Sequence, residues 1–290
     1  MHFLLITGYF MINSQVTKLK LFKLWFQVWT YSILSVIIYY VVTGDTHTRH
    51  IFTAFTPISH NIYWFFTSYL VVFCLSPILN VGIKSIKRID FSLIILFMLF
   101  FFCILPTRGH WFLTDNNRIG LFLTLYFIGA WIRLYLLQFF KPKTILVFSS
   151  LGTLFGFGLA EISILTNGWS DDLGMRYRYV WGMEQFPVVF MAISSFILFS
   201  QLKIKSNKII NVIASTVFGI YLIHMNGYTT NMIWHDIFGI KEWYYDKNMP
   251  SYLLLTSLCL FFICSLIEYI RITYIESPTL TKVKKYLGTV

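Results

Sequence analysis

Stretches of 15 to 23 residues that are poor in charge recur along this whole chain. They fall at about 21–43, 64–83, 91–105, 119–139, 145–165, 186–200, 209–229 and 251–272 of its 290 residues. A helix that crosses the hydrocarbon core of a bilayer needs about 20 apolar residues. Hydrocarbon offers the backbone no hydrogen-bond partners, so a spanning segment must satisfy its own. The expected fold is therefore all-α: a polytopic transmembrane helix bundle of about eight full spans plus a partial first one. The two runs of 15 residues are expected to extend into their flanks.

Composition agrees. The chain is 57% hydrophobic and 12% charged, against about 25% charged residues in soluble domains. The net charge of +11 would suit a nucleic-acid partner in a soluble chain, but its distribution gives a different meaning. Fifteen lysines and arginines fall in one alternate set of connections, which includes Lys18, Lys20 and Lys23 and, with the tail, Arg271, Lys282, Lys284 and Lys285. Seven fall in the other set, and Arg133 lies inside a span. The positive-inside rule makes the first set cytoplasmic, together with the C-terminus. The expected location is the cell membrane, multi-pass, with membrane lipid as the partner and no nucleic acid.

The outer connections, at about 44–63, 106–118, 166–185 and 230–250, hold or adjoin five of the seven histidines and eight of the twelve acidic residues. A substrate handled at the outer face fits that chemistry; so does the plain scarcity of lysine in long translocated loops. Cys74, Cys103, Cys259 and Cys264 lie in apolar runs without zinc-ligand spacing and read as small core hydrophobes. No metal is expected. The opening segment, to about Asn13, is apolar but too short to span, and the basic stretch after it places Met1 toward the outer face. The chain is thus expected to begin inside a larger membrane domain.

Several local patterns line up in order. They are Leu4-Leu5-Ile6-Thr7-Gly8-Tyr9-Phe10; Leu21-Phe22-Lys23-Leu24-Trp25; Pro57-Ile58-Ser59-His60-Asn61-Ile62-Tyr63-Trp64-Phe65-Phe66; Leu75-Ser76-Pro77-Ile78-Leu79-Asn80; Tyr126-Phe127-Ile128-Gly129-Ala130-Trp131-Ile132-Arg133; and Phe218-Gly219-Ile220-Tyr221-Leu222-Ile223-His224-Met225-Asn226. Together they resemble the membrane-bound acyltransferase 3 family, closest to bacterial members that O-acetylate polysaccharides. The likeness covers residues 1–290 as a single domain lacking the family's first helix. It implies transfer of acetyl from acetyl-CoA, the acyl donor, to a hydroxyl of an exported or cell-surface polysaccharide or lipid-linked glycan. It also implies a principal arginine–histidine pair on that first helix, which no residue here matches.

His224 matches the family's tyrosine-leucine-isoleucine-histidine pattern, and an imidazole suits proton transfer. It reads as a second polar residue lining the catalytic site, or as a helix-end histidine bonded to a neighbouring span or headgroup. Glu161, within a span, is a catalytic candidate or a structural ion-pair partner. Arg133 would meet coenzyme A phosphates or snorkel to lipid headgroups. Asn61, Trp64 and Tyr69 mark the entry to a span as substrate-binding candidates, with Trp64 either a sugar platform or an interfacial anchor. Asp171 and Asp172 read as solvated loop residues, and Gly152 with Gly156 as a helix-packing face. The competing functions are a glycan or lipid-linked sugar transporter or flippase, and an inactive remnant of the enzyme.

Overall fold

In a computed structural model the chain is helical, with no β-strand among the described residues. The structure describes residues 1–44, 47–108, 118–167, 182–202, 205–243, 246 and 248–286, so Asp171 and Asp172 lie outside it. Five helices are long and apolar enough to cross a membrane: Lys18–Thr43, Trp64–Ser85, Ile119–Leu136, Pro142–Leu159 and Met249–Tyr286. The other expected spans carry shorter helices. Phe186–Ser200 and Lys208–His224 have 15 and 17 residues. Arg88–Leu99, of 12 residues, continues through a π-helical turn, Phe100–Ile104, into Leu105–Arg108. The opening segment forms the ten-residue helix His2–Met11. Length and composition thus account for five crossings, and the protein is a membrane protein.

The chain divides into two compact units, Met1–Val16 with Trp64–Ile204 and Thr17–Tyr63 with Lys205–Val290. In the first, the Ile119–Trp131 helix touches His2–Met11, Trp64–Ser85 and Arg88–Leu99. Two glycines set its approach to His2–Met11. A Cβ on Gly8 would lie 2.1 Å from the Tyr126 carbonyl oxygen, and one on Gly129 2.3 Å from that of Leu5. Only residues without a side chain let the backbones come so close, which maximises dispersion contact where lipid supplies no hydrophobic drive.

Polar groups complete this packing. Buried Asn80 donates from Nδ2 to the Met11 carbonyl at 2.8 Å and accepts from Tyr126 Oη at 2.7 Å. One amide thereby ties three helices and satisfies a carbonyl at the end of His2–Met11. Pro77 lies inside Trp64–Ser85 and cannot donate to the carbonyl four residues back. That carbonyl, Phe73, accepts instead from Ser76 Oγ at 2.7 Å. On another face, Gly152 packs on Ser194 and Gly156 on Met191 of the Phe186–Ser200 helix, as their spacing predicts.

The second unit is held differently. Lys18–Thr43 is N-capped by Thr17 and ends on Gly44 in the left-handed region at φ 71°. Asn207 caps Lys208–His224 by accepting from the amides of Ile209 and Ile210. Lys208–His224 lies along Met249–Arg271, and inside the unit sits a buried charge network. Glu268, Arg271 and Glu276 are 0%, 3% and 2% exposed. Arg271 forks onto Glu268 with Nε at 2.7 Å and Nη2 at 2.8 Å. Nη2 also meets Glu276. Residues five apart do not share an α-helical face; the π-helical turn Ile272–Glu276 brings them together. Gln27 Nε2 donates to Glu268 at 2.8 Å, Tyr31 Oη donates to Glu268 at 2.5 Å, and Lys23 Nζ, half-exposed, is 2.9 Å from Glu276. Two carboxylates face two cations, so the cluster is neutral. Gly219 makes room for it: a Cβ there would lie 2.4 Å from the Glu268 carboxyl carbon. Arg271, which reads in the sequence as a loop charge, is thus an internal tie.

Two other sequence expectations change. The 209–229 run stops being helical at His224, because Met225 leaves helical geometry at φ −107° and ψ 13°. Of the cysteines, all free, Cys103 and Cys264 are buried but Cys74 and Cys259 are exposed.

Candidate functional site

The end of Lys208–His224 shows why a polar run follows an apolar helix. A helix leaves its last carbonyls without backbone donors, and away from water each needs a substitute. Here each has one. The Tyr221 carbonyl takes the amide of Met225 at 3.1 Å. That of Leu222 takes Tyr63 Oη at 3.1 Å, that of Ile223 takes Thr229 Oγ1 at 2.9 Å, and that of His224 takes Thr230 Oγ1 at 3.0 Å.

Asn226, fully buried, organises the turn that follows. Its Nδ2 donates to Tyr63 Oη at 2.7 Å and its Oδ1 accepts from the amide of Tyr228 at 2.9 Å. Its carbonyl accepts from the amides of Thr229 at 3.1 Å and Thr230 at 2.8 Å. Tyr63 also hydrogen-bonds with Ser35, and burial pushes its hydroxyl up to about 12. It therefore keeps its proton at neutral pH and can donate to Leu222.

On this braced end stands His224, half-buried. Nδ1 lies 2.6 Å from the Ile220 carbonyl oxygen, and the ring meets Trp234 edge-on at 6.2 Å. A carbonyl only accepts, so Nδ1 carries the proton and Nε2 of the neutral ring carries the lone pair. Among the described residues nothing hydrogen-bonds to Nε2. Trp234 with Phe238 packs on the small core of Ile220, Ile233, Leu260 and Cys264. Beyond Asn226, Tyr228 joins an aromatic and imidazole group in which its ring is 5.6 Å from Tyr39 and 5.2 Å from His50.

The remaining candidates stand as follows. Asn61, exposed in the same unit as His224, adopts φ 50° in the turn before Trp64. Asparagine tolerates that left-handed conformation better than most residues. In the other unit, Trp64 has the Arg118 guanidinium over its ring at 5.2 Å, and Arg118 Nε is 3.1 Å from Glu184. Tyr69 is 5% exposed, packed edge-on against Phe3 at 4.8 Å and hydrogen-bonded to Thr7. Arg133 is exposed, with Nη1 3.1 Å from Tyr9 Oη. It lines a cavity of about 460 Å³ with His2, Ile6, Phe10, Phe196 and Phe199. Glu161 belongs to the Pro142–Asn167 helix, and its side chain lies outside what the structure describes. Among the described residues no group of three or more His, Cys, Asp or Glu could hold a metal ion.

Sequence reasoning passed over Tyr63 and Asn226 as site residues, although both stand in the quoted motifs. The available signal was an amide directly after an apolar run, where a helix end needs donors.

The motif residues Gly8, Ser76, Pro77, Asn80, Tyr126 and Gly129 all work in packing one unit, while Gly219, Leu222, His224 and Asn226 work in the other. No curated protein and no solved structure matches the chain. A family model described as an acyltransferase domain matches residues 2–269, which covers nearly all of the first unit and the second as far as residue 269. The chain, with its ordered motifs and its apolar helices, belongs to the acyltransferase 3 family.

Proposed function

We propose that this protein is a membrane O-acyltransferase that moves acetyl from acetyl-CoA to a hydroxyl of an exported or cell-surface polysaccharide. The observation that carries the proposal is His224, whose Nδ1 bonds to the Ile220 carbonyl and whose Nε2 meets no hydrogen-bond partner among the described residues, in a chain of an acyltransferase family. An acyl acceptor is a hydroxyl that must lose a proton as its oxygen bonds to the acyl carbon, and a neutral imidazole is suited to take it. Acetyl-CoA would supply a thioester carbonyl to that oxygen: the ester C–O bond forms, the C–S bond breaks, and coenzyme A leaves as its thiol, taking up the proton that the hydroxyl loses. His224 would accept or steer the proton at Nε2, as an auxiliary to other groups of the site. Glu161 is a second candidate for that work.

Arg133, in the other unit, is by itself a candidate for contact with coenzyme A phosphates. Its guanidinium is exposed in a largely apolar cavity, and its planar fork suits phosphate. Asn61 and Trp64 are the candidates for contacts to the glycan, whereas Tyr69, buried against Phe3, is a packing residue. The apolar runs support eight crossings with a partial first one, in the cell membrane, and the lysine asymmetry supports a cytoplasmic C-terminus.

The test is to delete the gene and measure O-acetyl groups on the surface glycan by NMR before and after alkaline treatment. Loss, restored by the intact gene, is expected. With His224→Ala in its place, acetylation should fall by about 10²-fold, within the usual contribution of one proton-transfer group, without vanishing. Unchanged acetylation in the deletion strain would sink the proposal, and transport of glycan without label from acetyl-CoA would point to a transporter.

A further inference from the structure

We infer that Tyr63 and Asn226 are positioning residues, which hold the His224 imidazole in its proton-accepting state. The inference rests on the reading of His224 as a proton-transfer group. It starts from an asymmetry in how that helix end is built. Ordinary C-terminal capping uses glycine and backbone amides, whereas here Leu222, Ile223 and His224 are satisfied by side chains from outside the helix. The fullest of these links is Tyr63, whose hydroxyl gives its proton to Leu222 and receives one from Asn226. Both residues are at most 1% exposed, so neither can exchange its partner for water.

The consequence for His224 is geometric. Its ring bonds back to Ile220, one turn earlier, so the tautomer depends on that last turn staying helical. Asn226 sets the turn after it and Tyr63 sets the carbonyl between Ile220 and His224. If the last turn frays, Nδ1 loses the carbonyl that keeps it protonated, and the two tautomers of the free ring both become populated. Nε2 then carries the proton part of the time and cannot accept another. The brace thus acts on chemistry through the ring of His224 and touches no reacting atom itself.

Tyr63→Phe tests this with the least disturbance, because the ring is kept and only the hydroxyl goes. Side-chain ¹⁵N spectra of histidine-labelled protein in nanodiscs, with His224 assigned by subtraction of His224→Gln, report the tautomer without any activity. Wild type should show Nδ1–H at neutral pH, and Tyr63→Phe a mixture. Asn226→Ala removes the other half of the link and should give the same mixture. Acetylation by Tyr63→Phe should fall by less than the about 10²-fold expected of His224→Ala, because only the fraction of rings in the wrong tautomer is lost. In the His224→Ala background the same change should cost nothing further.

A wild-type tautomer in a folded Tyr63→Phe protein, or an additional loss in the His224→Ala background, overturns the brace alone. Wild-type acetylation by His224→Ala overturns instead the role given to His224, whatever the spectra show. Should Tyr63→Phe fail to elute as a single species, Asn226→Ala carries the same two measurements.

Discussion

The two units solve one problem in two ways. In the unit built on Ile119–Trp131, helices meet backbone to backbone at Gly8 and Gly129. In the unit built on Lys208–His224 and Met249–Arg271, they enclose a network of Glu268, Arg271 and Glu276 with Gln27 and Tyr31. Apolar side chains gain nothing by leaving lipid for a neighbouring helix, so association depends on close packing or on polar bonds. The first unit relies chiefly on shape and the second on charge. Shape fails gradually as side chains grow. Charge fails abruptly, because a lone buried ion has no solvent to fall back on.

The largest effect should come from breaking the network. Arg271→Ala leaves two buried carboxylates with only Lys23 and should cost about 3–5 kcal/mol. In a thermal unfolding scan monitored by size-exclusion chromatography, it should give the largest fall in melting temperature of the three variants, since about 3–5 kcal/mol is a large share of the roughly 5–15 kcal/mol that holds a fold together. A wild-type melting curve would mean that water already reaches the network. Gly129→Ala should cost less, about 1–3 kcal/mol, since overpacking can be relieved by small helix shifts. It should lower the same melting temperature by several degrees without abolishing folding. An effect equal to that of Arg271→Ala would erase the distinction between the units. The smallest change should come from Lys23→Gln. Its ammonium is 50% exposed while Glu276 is 2% exposed, and Arg271 still holds that carboxylate, so the loss should be about 1 kcal/mol, the upper end for solvent-exposed pairs. Its effect should shrink further as salt is raised.

The same contrast explains what could be read in advance. Gly152 and Gly156 are four apart on one helix, so their packing face is visible in the sequence, and Ser194 and Met191 fill it. Gly8 and Gly129 are 121 positions apart, and nothing local pairs them. Trp64 reads as either an anchor or a sugar platform, and the structure lays Arg118 across its ring. Tyr69 reads as a residue at a span entry, yet it is buried against Phe3. In both cases the neighbour comes from elsewhere in the chain. His224 was legible as a polar residue at an apolar helix's end, but its tautomer was not, because that depends on where the helix stops.

By itself the sequence determined the class of this protein: membrane-embedded, helical and of the acyltransferase 3 family. Those properties follow from local features, namely apolar length, the absence of backbone partners in hydrocarbon, and short ordered motifs. Tertiary structure alone decided which polar residues tie helices together and which remain available for chemistry. Glu268 takes its donors from Gln27 and Tyr31, 241 and 237 residues away, and Asn226 reaches Tyr63 across 163. A buried polar group is defined by the partner that satisfies it, and in this chain those partners are brought together only by folding.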